Sequence, residues 1–162
     1  MCIRDRSLGR KKKEQYEYRL RWDDVVYATG ELKAVAYKNG KYWATEVVKT
    51  AGSETTLSLQ ADRALIAADK KDLSFITLTI RDKDGTMVPQ SKNLVSFTVS
   101  GPGEIVATDN GDATSHASFQ SPQIKAYNGL ALAIIRATGS GKITLTAKSE
   151  GLAEATVVLI SR

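Results

Sequence analysis

Apolar and polar residues alternate along most of this chain, and such alternation is typical of β-strands with one buried face. In Phe75–Arg81, isoleucine and leucine occupy every second position, with threonines between them. Val95, Phe97 and Val99 repeat the pattern in the next apolar segment. Apolar residues do not recur at the three- and four-residue spacing of a helix. The sequence therefore predicts an all-β fold.

Turn residues divide the chain after Thr55 into short strands at the spacing of a two-sheet β-sandwich. Leu130–Ile135 is apolar at every position, so we expect a central strand that is covered on both faces. These features predict that residues 55–162 form a complete immunoglobulin-like β-sandwich. The predicted strands are Thr55–Gln60, Leu65–Ala68, Phe75–Arg81, Leu94–Ser100, Glu104–Thr108, Leu130–Ala137, Ile143–Lys148 and Ala155–Ile160.

A β-hairpin is predicted within Glu31–Val48, because Asn39-Gly40 is a two-residue signal for a type I′ turn. Counting outward from the turn places Trp43 on an apolar face beside small alanines. The pairs expected from this count are Tyr37–Tyr42, Ala36–Trp43, Lys33–Glu46 and Leu32–Val47.

Residues 14–52 contain too few strands to close a sandwich on their own. We expect them to be the C-terminal part of a second, truncated small β-sandwich domain. Thr50–Glu54, with the sequence TAGSE, is predicted to be the linker between the two domains.

The formal net charge of +5 arises in residues 1–13, because basic and acidic residues are equal in number over the rest of the chain. A basic segment can bind nucleic acid or anionic lipid. Since MCIRDRS resembles translated adapter sequence, we expect residues 1–13 to be a non-native or disordered head. No apolar run reaches the roughly 20 residues of a membrane-spanning helix. We therefore expect neither nucleic acid nor membrane as a partner.

Hydrolysis of a glycosidic bond needs two carboxyl groups about 5 to 9.5 Å apart. The candidate pairs in this chain sit beside turns or are adjacent in sequence, where Asp is favoured for local backbone hydrogen bonds. We expect no catalytic residue and no cofactor. The pairs considered are Asp23-Asp24, Asp82 with Asp84, Asp109 with Asp112, and Glu150 with Glu154.

The polar stretch that begins at Asp109 offers one candidate cation site. Asp109, Asn110 and Asp112 supply oxygen atoms close together in sequence, but the alternating ligands and final Glu of an EF-hand are missing. The alternative is a loop in which these side chains hydrogen-bond the backbone.

The remainder of that stretch is predicted to be a structural loop. His116 is the single histidine, and we expect its imidazole to hydrogen-bond loop backbone. Phe119 and Tyr127 are the expected anchors, because a buried aromatic ring can hold a long loop in place. Asn128 and Gly129 form a second turn signal.

Exposed aromatic side chains are the candidates for carbohydrate binding. Tyr37 and Tyr42 are the first pair, since they are expected to face each other on the outer side of the hairpin. Trp22 and Tyr27 are the second pair. The alternative for all four is packing against a neighbouring domain.

Several segments together resemble a known family. They are Asn93–Gly103 (NLVSFTVSGPG), Asp109–Asp112, Ser115-His116, Ala126–Ala131 and Thr144–Leu152. In this order they resemble the C-terminal immunoglobulin-like domain of glycoside hydrolase family 2 enzymes of the β-galactosidase type. Trp22, Tyr27 and Gly30–Leu32 resemble the end of the small sandwich that precedes that domain.

The resemblance implies a parent enzyme that releases terminal β-linked galactose or a related sugar. It also implies that the catalytic barrel is missing from this chain, which is then an accessory domain whose partner is the upstream catalytic domain. We expect the parent to be periplasmic or secreted, with the cytoplasm as the alternative. Two other classes stay open: an immunoglobulin-like repeat of a bacterial adhesin, and a carbohydrate-binding module that contacts glycan directly.

Overall fold

The computed structural model describes residues 2–3 and 6–162, and within them it contains strands and turns but no helix. The all-β prediction is confirmed. The chain divides into two compact units on either side of the Thr50–Ala51 bond. None of the described residues belongs to a helix that could cross a membrane.

The first unit is a four-stranded sheet with the strand order β2-β1-β3-β4. Its central hairpin turns at Asn39 and Gly40, whose φ angles of 53° and 75° are both positive, as a type I′ turn requires. The predicted turn is therefore confirmed. The strands are β1 (Cys2–Ile3), β2 (Arg6–Ser7), β3 (Glu31–Lys38) and β4 (Lys41–Lys49).

The register of this hairpin differs from the predicted one beyond its first pair. Tyr37 pairs with Tyr42 as expected, but Ala36 pairs with Ala44, so Trp43 is the additional residue of a β-bulge. Leu32 consequently pairs with Val48, and the predicted pairs beyond the tyrosines are wrong. Counting from the turn assumes an uninterrupted ladder, and the local sequence does not mark the extra residue.

The first residues of the chain take part in this sheet. Cys2 pairs with Lys33 and Ile3 with Leu32, and the short β2 pairs with β1. These pairings involve four of the thirteen residues of the head, of which residues 1, 4 and 5 lie outside the described part of the chain. That the head is non-native or disordered stays a prediction.

The second unit is a sandwich of two sheets, with the orders β5-β7-β11-β9 and β10-β8-β12-β13-β6. All pairings within these sheets are antiparallel except that of β13 with β6. The strands are β5 (Glu54–Ala61), β6 (Leu65–Ile66), β7 (Leu73–Asp82), β8 (Leu94–Ser100), β9 (Gly103–Asp109), β10 (Gln123–Lys125), β11 (Leu130–Ala137), β12 (Gly141–Lys148) and β13 (Ala155–Ser161). The predicted immunoglobulin-like sandwich is confirmed.

Every second residue of the central strands fills the space between the sheets. From one sheet, β7 contributes Ile76, Leu78 and Ile80, all fully buried. From the other sheet come Phe97, Ile143, Leu145 and Leu159. Burying one such side chain stabilises the fold by roughly 1.5–3 kcal/mol, so this layer supplies most of the driving force for the second unit.

Strand β11 lies between β7 and β9, which confirms its predicted central position within the sheet. Its buried face carries Ala131, Ala133 and Ile135. The opposite face is not fully covered, since Leu130 is 37% exposed and Leu132 and Ile134 are only half-buried. The expectation of a strand covered on both faces is therefore wrong for this unit by itself, and an apolar stripe is left on its surface.

A buried carboxylate ties the start of the second unit to the end of β7. Asp82 Oδ2 accepts a hydrogen bond from the Gly52 amide at 2.8 Å. Its Oδ1 accepts two more, from the amides of Asp84 at 2.9 Å and Thr86 at 2.8 Å. The bond from Gly52, together with those from Thr86 and Asp84, lowers the pKa of Asp82, because each stabilises the ionised form.

Replacing this carboxylate should change the acid sensitivity of the fold. Because the folded-state pKa of Asp82 is lowered, its contribution to stability is present above the unfolded-state value of about 3.9 and is lost as the pH falls through the folded-state value. We expect Asp82→Asn to lower the Tm by several degrees at pH 7, with a smaller difference from the parent sequence below about pH 4. Thermal unfolding followed by circular dichroism measures both effects.

Asp84→Asn is the matched control, because the Asp84 side chain is exposed and only its backbone amide is used in the turn. Its Tm should stay close to that of the parent sequence at each pH. An equal loss of Tm in the two variants would show that the Asp82 bonds do not hold this turn.

Candidate functional site

The two tyrosines predicted as the first carbohydrate candidates lie together near the tip of the hairpin. Tyr37 and Tyr42 are direct cross-strand partners and are 57% and 65% exposed. Cross-strand partners share a face of the sheet. The guanidinium of Arg10 lies 6.0 Å from the centroid of the Tyr37 ring. The structure thus presents both rings on one accessible surface.

The second pair of candidates does not join this surface. The Trp22 indole is half-buried, and its Nε1 donates a hydrogen bond to the Leu8 carbonyl at 2.8 Å. Tyr27 is exposed, and its hydroxyl lies 3.3 Å from Oγ1 of Thr50, just beyond the end of β4 that is remote from the turn. Trp22 has a structural bond, and Tyr27 is separated from the other tyrosines by the length of the hairpin.

Sequence reasoning missed a second group at the hairpin tip. Trp43 was expected to be packed beside alanines, but it is 66% exposed, like the rest of β4. The Lys38 ammonium lies 5.7 Å from the centroid of its ring, which is cation–π distance. Lys38 is also the direct cross-strand partner of Lys41. The sequence feature that could have indicated this group is the lysine on each side of Asn39-Gly40.

The three candidate cation ligands of the long loop bind the loop itself. Oδ1 of Asp109 accepts from the amides of Asn110 at 2.7 Å and Gly111 at 3.2 Å. The Asn110 side chain donates to the Lys125 carbonyl at 2.9 Å and accepts from the Asp112 amide at 3.0 Å. Within residues 6–162, no group of three or more His, Cys, Asp or Glu side chains is arranged to hold a metal ion. The cation site stays a prediction, and this geometry favours the backbone-bracing alternative.

Three further candidate carboxylates, those of Asp112, Asp23 and Glu154, are held by the Thr114 donors or by cations. Bonds from the hydroxyl and the amide of Thr114 lower the pKa of Asp112. Asp23 lies 3.5 Å from Arg21, and Glu154 lies 2.9 Å from Lys148. A general acid needs a raised pKa, and the shift at Asp112 is in the opposite direction. These carboxylates are therefore arranged to stabilise turns and surface pairs.

Two expected roles in the loop are corrected. Phe119 is 63% exposed, so it does not anchor the loop by burial. His116 is also exposed, and among the described residues its imidazole has no hydrogen-bond partner, so it does not brace the backbone. The anchors are instead Ile124 and Ala126, which are 4% and 2% exposed. Ile124 belongs to β10, a three-residue strand that was not predicted.

The turn that ends the loop is packed tightly. Tyr127 is 36% exposed and pairs through its backbone with Leu130. Between them, Asn128 and Gly129 have φ angles of 50° and 75°, which form the predicted turn. A Cβ atom at Gly129 would lie 2.3 Å from the Val88 carbonyl oxygen, so only glycine fits. The turn therefore holds β11 against the Val88–Ser91 segment, where the Gly129 amide donates to the Ser91 carbonyl.

These features define a class of protein: an immunoglobulin-like β-sandwich with a braced polar loop, preceded by a separate small sheet. The family model of the glycoside hydrolase family 2 C-terminal domain 5 matches residues 57–158. A second family model, a domain of unknown function (DUF4982), matches residues 2–44. The chain belongs to glycoside hydrolase family 2, in which it corresponds to a C-terminal portion.

Individual relatives agree with this assignment. The chain is 37% identical over 156 residues to the β-galactosidase BoGH2A of Bacteroides ovatus, and the alignment covers 96% of this chain and 18% of that enzyme. It is 25% identical over 172 residues to a β-glucuronidase of Formosa agariphila, of which it covers 16%. A solved glycosyl hydrolase family 2 member from Bacteroides cellulosilyticus superposes with a TM-score of 0.81 at 35% identity, covering 85% of this chain and 18% of that one. The chain thus spans less than a fifth of the length of these relatives.

The packed turn can be tested with two glycines of similar conformation. Gly129 and Gly111 both have positive φ, but a Cβ atom at Gly111 would meet open space. Gly111→Ala should cost about 1 kcal/mol from backbone strain alone. Gly129→Ala should cost at least about 3 kcal/mol, because the methyl group also collides with backbone. Urea unfolding of the two variants measures the difference, and equal costs would contradict the proposed close approach.

Proposed function

We propose that this chain is a non-catalytic accessory portion of a larger glycoside hydrolase that acts on β-linked glycans. The observation that carries the proposal is the match of a C-terminal domain model to residues 57–158 in a chain that spans 18% of a β-galactosidase relative. In support, the candidate carboxylates of the long loop and of Asp82 accept backbone hydrogen bonds. Such carboxylates stabilise turns and are poorly suited to proton transfer.

We further propose a parent of the β-galactosidase type. Support comes from the greater identity to the β-galactosidase relative, 37% against 25% for the β-glucuronidase. Family membership favours this proposal over the adhesin repeat, whose signature would be tandem sandwiches and no hydrolase relatives. A periplasmic or secreted location of the parent remains a proposal that cell fractionation would test.

In the second unit, the outer face of the sheet β5-β7-β11-β9 carries an apolar stripe that suits the accessory role. Phe75, which is 40% exposed, pairs across β7 and β11 with Ile134. Leu132 and Leu130 continue the stripe along β11. The Arg136–Glu104 ion pair, 2.8 Å long, borders it. Contiguous apolar surface with a polar rim is typical of interaction sites, and the partner we propose for it is the catalytic portion of the same polypeptide.

An activity assay tests the proposal that this chain is non-catalytic and that its parent polypeptide is a β-glycosidase. Because the chain supplies no acid–nucleophile pair in this proposal, the 162-residue protein should not hydrolyse aryl β-galactosides or aryl β-glucuronides above the buffer rate. The complete polypeptide should hydrolyse at least one of them. A colorimetric assay at equal molar concentrations provides the comparison.

Hydrolysis by the 162-residue protein that disappears in an Asp109→Asn, Asp112→Asn double variant would overturn the non-catalytic assignment. Lack of hydrolysis by the complete polypeptide on a panel of aryl β-glycosides would overturn the assignment of the parent as a β-glycosidase.

A further inference from the structure

The hairpin tip combines an exposed aromatic ring with two ammonium groups. Trp43 is 66% exposed, and Lys38 lies beside its ring. Residues in a strand alternate between faces, so Lys38 and Lys41 point away from the face that carries Tyr37 and Tyr42. Trp43 follows Tyr42 along the strand, and its ring lies beside the Lys38 ammonium, so the indole is on the lysine side. We name Lys38, Lys41 and Trp43 the tip cluster.

The pairing of the two lysines is unfavourable in the free protein. Lys38 and Lys41 are direct cross-strand partners, and like charges in this arrangement destabilise a sheet. Neither lysine has an ion pair within the part of the chain that the structure describes. The carboxylate of Glu31 pairs instead with Lys49 at 3.7 Å, at the far end of the hairpin. An anion bound between the lysines would relieve this repulsion.

The tip cluster is also held in a defined shape before any ligand binds. Both turn residues adopt the positive φ angles of a type I′ turn, which fixes the separation of the two strands at Lys38 and Lys41. A binding surface that is already ordered loses less conformational entropy when a ligand arrives.

We propose that the tip cluster binds a saccharide that carries a negative charge, either a uronate carboxylate or a sulfate group. The free face of the Trp43 indole stacks on the sugar ring, because pyranose C–H groups carry partial positive charge and the aromatic face is negative. Lys38 and Lys41 bind the anionic group. The site rests on the proposed function, since it assumes that the parent acts on glycans, and it would add affinity for charged chains to that activity.

The site differs from the Tyr37–Tyr42 surface in its place and in the arrangement of its cations. The tyrosine face has Lys33 and the Arg10 guanidinium near Tyr37, whereas the tip cluster pairs two lysines directly across the hairpin beside an indole. Contact with another part of the same polypeptide is the competing explanation for an exposed tryptophan. The like-charge lysine pair favours the anionic ligand, because a protein contact of this size would need carboxylates aligned with both ammonium groups.

Calorimetric titration of the full 162-residue protein tests the proposal. The probes are a tetrasaccharide containing β-linked glucuronate, a sulfated galactose tetrasaccharide and a neutral β-galactose tetrasaccharide. We expect the charged probes to bind at least about tenfold more tightly than the neutral one. The first two probes distinguish carboxylate from sulfate as the recognised group.

Matched variants separate the tip cluster from general effects. Trp43→Ser should weaken binding of the charged probe by about tenfold, whereas Tyr18→Ser, at a fully exposed ring that belongs to neither candidate site, should leave it within about twofold. Lys38→Gln should also weaken binding of the charged probe by about tenfold. Lys33→Gln should not, because Lys33 lies in the same strand but on the tyrosine face. All four side chains are exposed, so circular dichroism should show unchanged folding.

If Lys38→Gln and Lys33→Gln weaken binding of the charged probe equally, the binding is a general attraction between charges, and the proposed site is contradicted. Equal affinity for the neutral tetrasaccharide would overturn the selection by charge. If no probe binds, the proposal fails, and contact within the polypeptide is the explanation left for the exposed Trp43. None of these outcomes depends on hydrolysis, so the accessory assignment would stand or fall separately.

Discussion

Burial of alternate residues between two sheets is the constraint on which the second unit depends. Ile76, Leu78 and Ile80 of β7 face Ile143 and Leu145 of β12, and all five are completely buried. The period of two residues then fixes which side chains must face outward. The apolar stripe on β11 is a direct consequence, because a strand with apolar residues at every position cannot turn all of them toward one core. The surface proposed to contact the catalytic portion is thus set by the same register that builds the core.

Side-chain hydrogen bonds to the backbone give the connecting segments their shape. Asp82 holds the start of the sandwich to the turn after β7, and Asp109, Asn110 and Asp112 fold the long loop onto its own amides. These residues looked like candidates for chemistry because short polar side chains in sequence proximity serve both purposes. The hydrogen-bond partners of the side-chain oxygen atoms distinguish a chemical role from backbone bracing. Here those partners are backbone amides and one hydroxyl group.

The sequence predicted the strands well where the pattern was regular and failed where long-range packing decided. Leu94–Ser100 and Leu130–Ala137 have the predicted bounds, because turn residues mark both ends. The strand β10 was missed because Ile124 stands between Gln123 and Lys125, with too few residues to show a period. The bulge at Trp43 and the exposure of Phe119 are not marked by the local composition. The pairing of Lys38 with Lys41 follows from the predicted turn, whereas the exposure of Trp43 became visible only in the structure.

The accessory role rests on whether the apolar stripe is covered in the complete polypeptide. Thiol labelling at Phe75→Cys, in a Cys2→Ser background, measures this directly, with Leu94→Cys as an exposed reference on the other sheet. We expect both thiols to react at similar rates in the 162-residue protein. In the complete polypeptide, the thiol at position 75 should be labelled at least about tenfold more slowly, while that at position 94 keeps its rate. Equal rates at position 75 in the two proteins would contradict the account, because the stripe would then be free in the enzyme it is proposed to support.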